Sequence, residues 1–320
     1  MASGAALALS IDADGCTVDR LRQVFSYWAT DERTTLGRGL GLPIASSMFA
    51  YSRNPGAPPQ AAYLDGDRDG LLEACRRGWI DTLHSVGDFA ADRPCTRDFA
   101  RRAFEALAAD GIRLKVWTNH GAGHNVQDLG LSGSLGDVPD SSCHLSDLAI
   151  EYGIRFAWLS ELTPVVGQDR EATAGEYYAG VVEKPGWIRA TARAAHAISP
   201  GLVRKLGIVP YPGNRLVESR TLRDGRPILA FRRYGRWRHD TIARLPSILS
   251  REVLDRLVET GGRMIVYLHI GPSPDETPEN FQAGMKALDE VARRVGEKTL
   301  VVARTVDLLE ASASASGPLR

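Results

Sequence analysis

An α/β fold built on a parallel sheet is predicted by three observations along these 320 residues. Apolar runs of strand length alternate with helix-spaced segments at a repeat of roughly thirty residues, the rhythm of βα units. Several of the strand-like runs end in carboxylates, imidazoles or amides. The chain is 43% hydrophobic and long enough to bury one large core. In a barrel made of βα units the C-terminal strand ends converge on one face, so those polar ends would meet.

The first strand runs through Leu7-Ala8-Leu9-Ser10-Ile11 and ends in Asp12, Ala13, Asp14 and Gly15. Strand alternation would turn Asp12 and Asp14 to one face. Carboxylates that close repel unless a cation or a hydrogen-bond network lies between them. Taken alone, the pair also suits loop acids ahead of a helix. That helix is predicted over residues 17–27 by the spacing of Val18, Leu21, Val24 and Phe25. Residues 34–60 are rich in Gly and Pro, interrupted by a strand-like run at 44–51, and so long a loop beside a strand end is expected to wall a pocket. A short helix at 71–75 precedes a strand at 78–83, which ends in His84-Ser85-Val86-Gly87-Asp88.

Thr96 is placed to cap a helix running to residue 109, stopped by Gly111. The strand at 112–118 opens onto Asn119-His120-Gly121-Ala122-Gly123-His124. A helix at 145–152 with Gly153 as its stop leads to a strand at 154–159. Residues 163–247 lose the rhythm and read as an irregular elaboration of the barrel, containing a hairpin of strands 215–221 and 227–232 joined by Arg223-Asp224-Gly225. The rhythm then returns: Ser250 caps a helix to residue 260, Gly261-Gly262 ends it, and a buried strand at 264–268 leads to His269. Pro278 opens a helix to residue 295, and 299–303 is the last strand. One domain over residues 1–310 is expected, with a low-complexity, frayed tail over 311–320.

The 39 basic and 39 acidic residues cancel, which gives no footprint for nucleic acid or a membrane surface. No apolar run approaches the roughly twenty residues of a membrane span. The four cysteines have no paired spacing and are expected as reduced thiols. The first residues lack a positive stretch and lead straight into the acid-bearing strand, so no signal peptide and a cytoplasmic location are expected. Arginines gather between Phe231 and His239; a solvated turn accounts for them, and Arg232 and Arg236 would alternatively hold a phosphate or nucleotide portion of a substrate.

A histidine with two carboxylates suits a hard or borderline divalent ion, Zn²⁺ first and Co²⁺ or Ni²⁺ next, with positions left for water and substrate. Water on such an ion has its pKa lowered towards about 7. A carboxylate left over from coordination would serve as base, and a histidine opposite would protonate a leaving amine. Each histidine alone would equally satisfy a loop. The set, taken with the acid pair, points to amide hydrolysis.

The order of these groups, an acid pair on the first strand, His-Ser on the second and Tyr267-Leu268-His269 on a late strand, resembles the polysaccharide deacetylase family of NodB-type carbohydrate esterases. The resemblance covers residues 7–308, loosely over 163–247, and implies a distorted (β/α)7 barrel that removes an acetyl group from a sugar with a bound metal, commonly zinc. It implies Asp12 as general base, Asp14 and His84 as metal ligands, and His269 as general acid. Three departures accompany it. The family's adjacent acids are separated here by Ala13. Its second-motif histidine is replaced by Asp88, a carboxylate able to act as ligand but less able to acidify water. Its arginine and proline after the third strand give way to Trp117-Thr118-Asn119-His120-Gly121.

His120 would complete the metal shell or, with Asn119, hold the acyl oxygen; His124 is a more distant candidate for either, and Trp117 is a candidate substrate contact. The expected function is removal of an N-acetyl group from an acetamido sugar in a small or carrier-linked metabolite. Two alternatives are hydrolysis of another C–N bond, such as an imide or ring amide, and a sugar-binding barrel without turnover.

Overall fold

The computed structural model describes residues 4–121, 123–173, 176, 213–235 and 240–315. Strand β1 (Ala5–Asp12) is buried at every position. Alternation sends its two faces to different neighbours. Leu7, Leu9 and Ile11 join the large apolar cluster shared with the helices, whereas Ala6 and Ala8 join a smaller one with Val116, Phe156, Trp158, Phe231 and Ile265. The second face, small at Ala6 and Ala8, continues through Ser10 to Asp12 and looks into the barrel.

Helix α1 (Val18–Trp28) follows, its Thr17 hydroxyl accepting from the Arg20 amide. A short ribbon, β2 (Arg33–Thr34) and β3 (Gly37–Arg38), precedes β4 (Ala45–Met48) and β5 (Tyr51–Arg53). Next come α2 (Arg68–Arg76), β6 (Ile80–His84), β7 (Gly87–Phe89), α3 (Arg97–Ala109), β8 (Val116–Thr118), α4 (Ser146–Tyr152) and β9 (Phe156–Thr163). Strands β10 (Val217–Thr221) and β11 (Pro227–Tyr234) form the hairpin expected around Asp224-Gly225. A 3-10 turn at Ile242–Arg244 runs into α5 (Leu245–Ile248), then α6 (Arg251–Thr260), β12 (Arg263–His269), α7 (Pro278–Gly296), β13 (Leu300–Val302) and α8 (Thr305–Ala315). Ser250 caps α6, Gly261 ends it in the left-handed region, and Thr277 with Asn280 makes a capping box at α7.

Seven strands close on themselves in the order β1, β4, β6, β8, β9, β11, β12 and back to β1, all parallel. This is a closed seven-stranded parallel barrel, the (β/α)7 architecture that the resemblance implies. The ring is irregular at β1: β4 pairs with it only at Ser10 and Ile11, while β13 pairs at Ala5 to Leu7. Leu308 and Leu309 of α8 join the interior cluster, so this helix plugs the end opposite the strand termini.

Two expectations are corrected. The hairpin is no appendage, because β11 is the stave between β9 and β12 that closes the barrel. Its antiparallel partner β10 hid that role, since the alternating pattern of a hairpin does not reveal a parallel neighbour. Residues 311–315, expected to fray, are helical, and Ser312 is buried. All four cysteines are free thiols. Among the described residues no helix is long and apolar enough to cross a membrane.

Asp81 anchors α8 from within β6, accepting from the Val306 amide and the Thr82 hydroxyl. Burial pushes its carboxyl up to about 6, against the pull of those hydrogen bonds and of Arg304. A carboxyl raised in the fold favours the folded state while protonated, so this contribution is present below the unfolded value near 3.8 and is lost as pH rises through about 6. Relative to Asp81→Asn, the wild type should therefore lose about 3 kcal/mol of stability between pH 4 and pH 8, at about 1.4 kcal/mol per unit. Urea unfolding of both proteins across that range measures it; a constant difference would show that the carboxyl is not held neutral.

Candidate active site

The strand ends meet as the topology requires. Asp12 ends β1 and lies in register with His269, which ends β12. Asp14 belongs to the turn after β1, so the turn, not strand alternation, brings it beside Asp12. His84 ends β6 with its ring stacked on Phe49 at 4.5 Å and edge-on to His120 at 5.0 Å. Ser85, the next residue, is held in the left-handed region at φ 52°, a backbone outlier at the site. His120 follows β8 in a loop, and Asp128 fixes it by accepting from the amides of His120 and Gly121.

Among the described residues, two groups of three offer ligand atoms within 4.8 Å of one another: Asp14, His84 and His120, and Asp12, Asp14 and His269. In the first, His84 Nδ1 is 3.5 Å from Asp14 Oδ2 and His120 Nδ1 is 3.0 Å from Asp14 Oδ1. Asp14 Oδ2, both His84 ring nitrogens and His120 Nδ1 are buried without a hydrogen-bond partner. Buried polar atoms are ordinarily satisfied, and three of these orphans, Asp14 Oδ2, His84 Nδ1 and His120 Nδ1, lie together as a divalent ion would satisfy them, while His84 Nε2 faces Asp12. The separations match the edge of a tetrahedral zinc site, about 3.3 Å for metal–ligand bonds near 2.0–2.1 Å. The residues fit a metal.

The second group does not take another cation, because Asp12 is already compensated. Arg233 NH1 is 2.8 Å from Asp12 Oδ1 and 3.2 Å from Ser10 Oγ. Its guanidinium lies 3.4 Å over the Trp158 ring and 4.2 Å over Tyr267, with no exposure to solvent. His269 Nε2 stands 3.5 Å from Asp14 Oδ2 and 3.1 Å from the Tyr267 hydroxyl. Burial pushes the Tyr267 phenol far above its ordinary range, with the Asp12 charge adding to it, so the hydroxyl keeps its proton.

The charges respond to this crowding. Burial opposes ionisation of Asp14, yet His84, His120 and His269 hold its carboxyl well below the usual carboxylate range. Burial pushes His84 below the ordinary histidine value against Asp12 and Asp14, leaving a neutral imidazole. Burial would lower His120 too, but Asp14 and Asp88 on its two nitrogens push it up to about 10. Cys16, two residues past Asp14, is pushed up to about 12 by burial and stays a thiol.

The remaining candidates fall elsewhere. Asp88 sits on β7, 3.2 Å from His120 Nε2, outside both ligand groups. His124 is farther out, 3.6 Å from Asp88. Trp117 is fully buried with its indole N–H donated to Asn119, which removes it as a substrate contact. The Asn119 amide is spent pinning Leu129, so it holds the loop. Arg232 is buried against Glu218 and Glu161 and is no substrate handle. Arg236 lies outside the described residues. Arg233, Asn54 and Gln60 carry parts of the site that sequence reasoning did not assign; the arginine cluster held the first and the long loop expected to wall a pocket held the others.

No family model matches the chain, and no curated protein matches it in sequence. Among solved structures, a "putative polysaccharide deacetylase" from Mycobacterium smegmatis has a TM-score of 0.49 and 11% identity, covering 100% of this chain and 94% of that one. A 4-alpha-glucanotransferase from Thermococcus litoralis has a TM-score of 0.43 and 9% identity, with 96% of this chain spanning 38% of that one. The chemistry of the site therefore rests on this chain's own residues.

The loop after His269 crosses the Asp14 turn so closely that a Cβ on Gly271 would overlap the Asp14 carbonyl. Gly271→Ala should cost about 1–3 kcal/mol by overpacking in urea unfolding, and should weaken Co²⁺ uptake by moving the Asp14 carboxylate. Unchanged stability and uptake would mean that the turn yields freely.

Proposed function

We propose that the protein is a metal-dependent hydrolase that removes an N-acetyl group from an acetamido sugar in a small or carrier-linked metabolite. The observation that carries the hydrolase reading is the cluster of buried, unpartnered lone pairs on Asp14, His84 and His120 beside the compensated carboxylate of Asp12. The sugar comes from the family resemblance in the sequence.

Asp14, His84 and His120 would hold the ion. When bound, it supplies an acidified water and a Lewis acid for the acyl oxygen, and Zn²⁺ suits this nitrogen and oxygen donor set. Asp12 accepts the proton of the attacking water; Arg233, itself held by the Ser10 hydroxyl, fixes its Oδ1, leaving Oδ2 toward the site, 3.9 Å from His84 Nε2. His269, on the neighbouring strand at the same level as Asp12, gives a proton to the leaving amine, with Tyr267 orienting the ring. Water adds to the acyl carbon, the C–N bond breaks, and acetate and a free amine leave.

Mass spectrometry of the purified wild type should find an ion bound to the chain, and His84→Ala and His120→Ala should lose it. No uptake after addition of zinc, cobalt or nickel would overturn the reading. Asp12→Asn retains an oxygen for Arg233; it should keep the ion while acetate release from N-acetylhexosamine compounds falls by about 10²–10⁴-fold, the usual worth of a general base. Turnover of imides or ring amides without acetate release would change the bond and keep the site.

A further inference from the structure

We propose that Asp88 is a positioning residue that fixes which nitrogen of His120 faces Asp14 and His84. The proposal rests on the metal-dependent reading above. It also departs from the sequence expectation, in which Asp88 itself is a ligand.

The two imidazole nitrogens of His120 have different neighbours. Nδ1 is 3.0 Å from Asp14 Oδ1 and Nε2 is 3.2 Å from Asp88 Oδ1, both within ion-pair range. The ring therefore stands between the two carboxylates, and Asp88 cannot reach a cation held by Nδ1. A neutral imidazole that gives its Nε2 proton to Asp88 presents the Nδ1 lone pair, so the carboxylate selects the tautomer that binds.

Asp88 is itself held. It is buried, and the side-chain amides of Asn54, Gln60 and Asn125 each donate to it at 3.3 Å. Asn125 is braced in turn by Gln127, which donates to it at 3.0 Å, and by the Phe89 amide. Gln60 does a second job: its Oε1 accepts from the Gly15 amide at 3.1 Å, in the turn that carries Asp14. The contacts close a ring from Asp14 to His120, to Asp88, to Gln60, to Gly15 and back to Asp14. One amide thus couples the orientation of an imidazole on the β8 loop to the placement of a carboxylate after β1. A carboxylate buried among so many donors, without forming an ion pair to any Lys or Arg among the described residues, is built to serve the imidazole.

The test is Zn²⁺ affinity by chelator competition, with the visible absorption of the Co²⁺-loaded protein, for wild type, Asp88→Asn, Asp88→Ala and His120→Ala. Asp88→Asn keeps an acceptor oxygen without the charge and should lose about tenfold in affinity, and Asp88→Ala up to about a hundredfold, the range for partners of metal-bound histidines. At saturating Co²⁺ both should keep the wild-type band positions, whereas His120→Ala should not. Wild-type affinity in Asp88→Ala would overturn the proposal and leave the hydrolase reading intact. Bands displaced in Asp88→Ala as in His120→Ala would make Asp88 a ligand and overturn it as well. No ion bound by the wild type would overturn both. Asp88→Asn, nearly isosteric, keeps the test open if the alanine variant does not fold.

Discussion

The ion pair between Asp12 and Arg233 is what the rest of the barrel is arranged around. Two charges lie inside a closed ring of strands, one from the first strand and one from the stave that completes closure. Removing either partner would strand the other in a low-dielectric interior, a loss of about 3–5 kcal/mol for buried pairs. Ser10 and the faces of Trp158 and Tyr267 take up part of what the carboxylate leaves unsatisfied. Ala6 and Ala8 beneath leave room for the large rings of Phe156, Trp158 and Phe231. Asp12 is therefore held in place by a cation from the closing stave, with its second oxygen turned toward His84.

That compensation separates two carboxylates with otherwise similar surroundings. Asp12 has a permanent cation on Oδ1, which leaves Oδ2 as its free oxygen. Asp14 has only imidazoles around it, and His120 supplies the balancing charge as a proton that a metal would displace. Two acids two residues apart thus have different electrostatic partners because of which strand faces each, a pairing set by topology and not by local sequence.

The legible features were those set by periodicity and chain direction. The βα rhythm yields the parallel barrel, and convergence of strand ends places Asp12, Asp14, His84, His120 and His269 together. What stayed hidden depends on register. Arg232 and Arg233 are adjacent, and alternation alone cannot say which one turns inward. In β11 the interior face runs through Leu229 and Phe231 to Arg233, and because both faces of this strand are buried its apolar pattern does not reveal that choice. Asp88 looked like a ligand because it stands four residues after His84; the left-handed turn at Ser85 and the β5–β7 pairing carry it behind His120 instead. Trp117, at a strand end, looked like a contact, yet its ring packs into the core.

Strand β1 is matched to β12 over seven consecutive residues, from Ala6 with Arg263 to Asp12 with His269. During synthesis, therefore, a strand buried at every position leaves the ribosome about 250 residues before the partner that seals its other edge exists. Over that interval an apolar strand has one side unpaired, the circumstance in which nascent chains associate or need a chaperone. Closure is also a long-range event, slow relative to formation of the local βα units. The meeting of Asp12 with His269, which needs both strands, comes about only after every strand between them has been made.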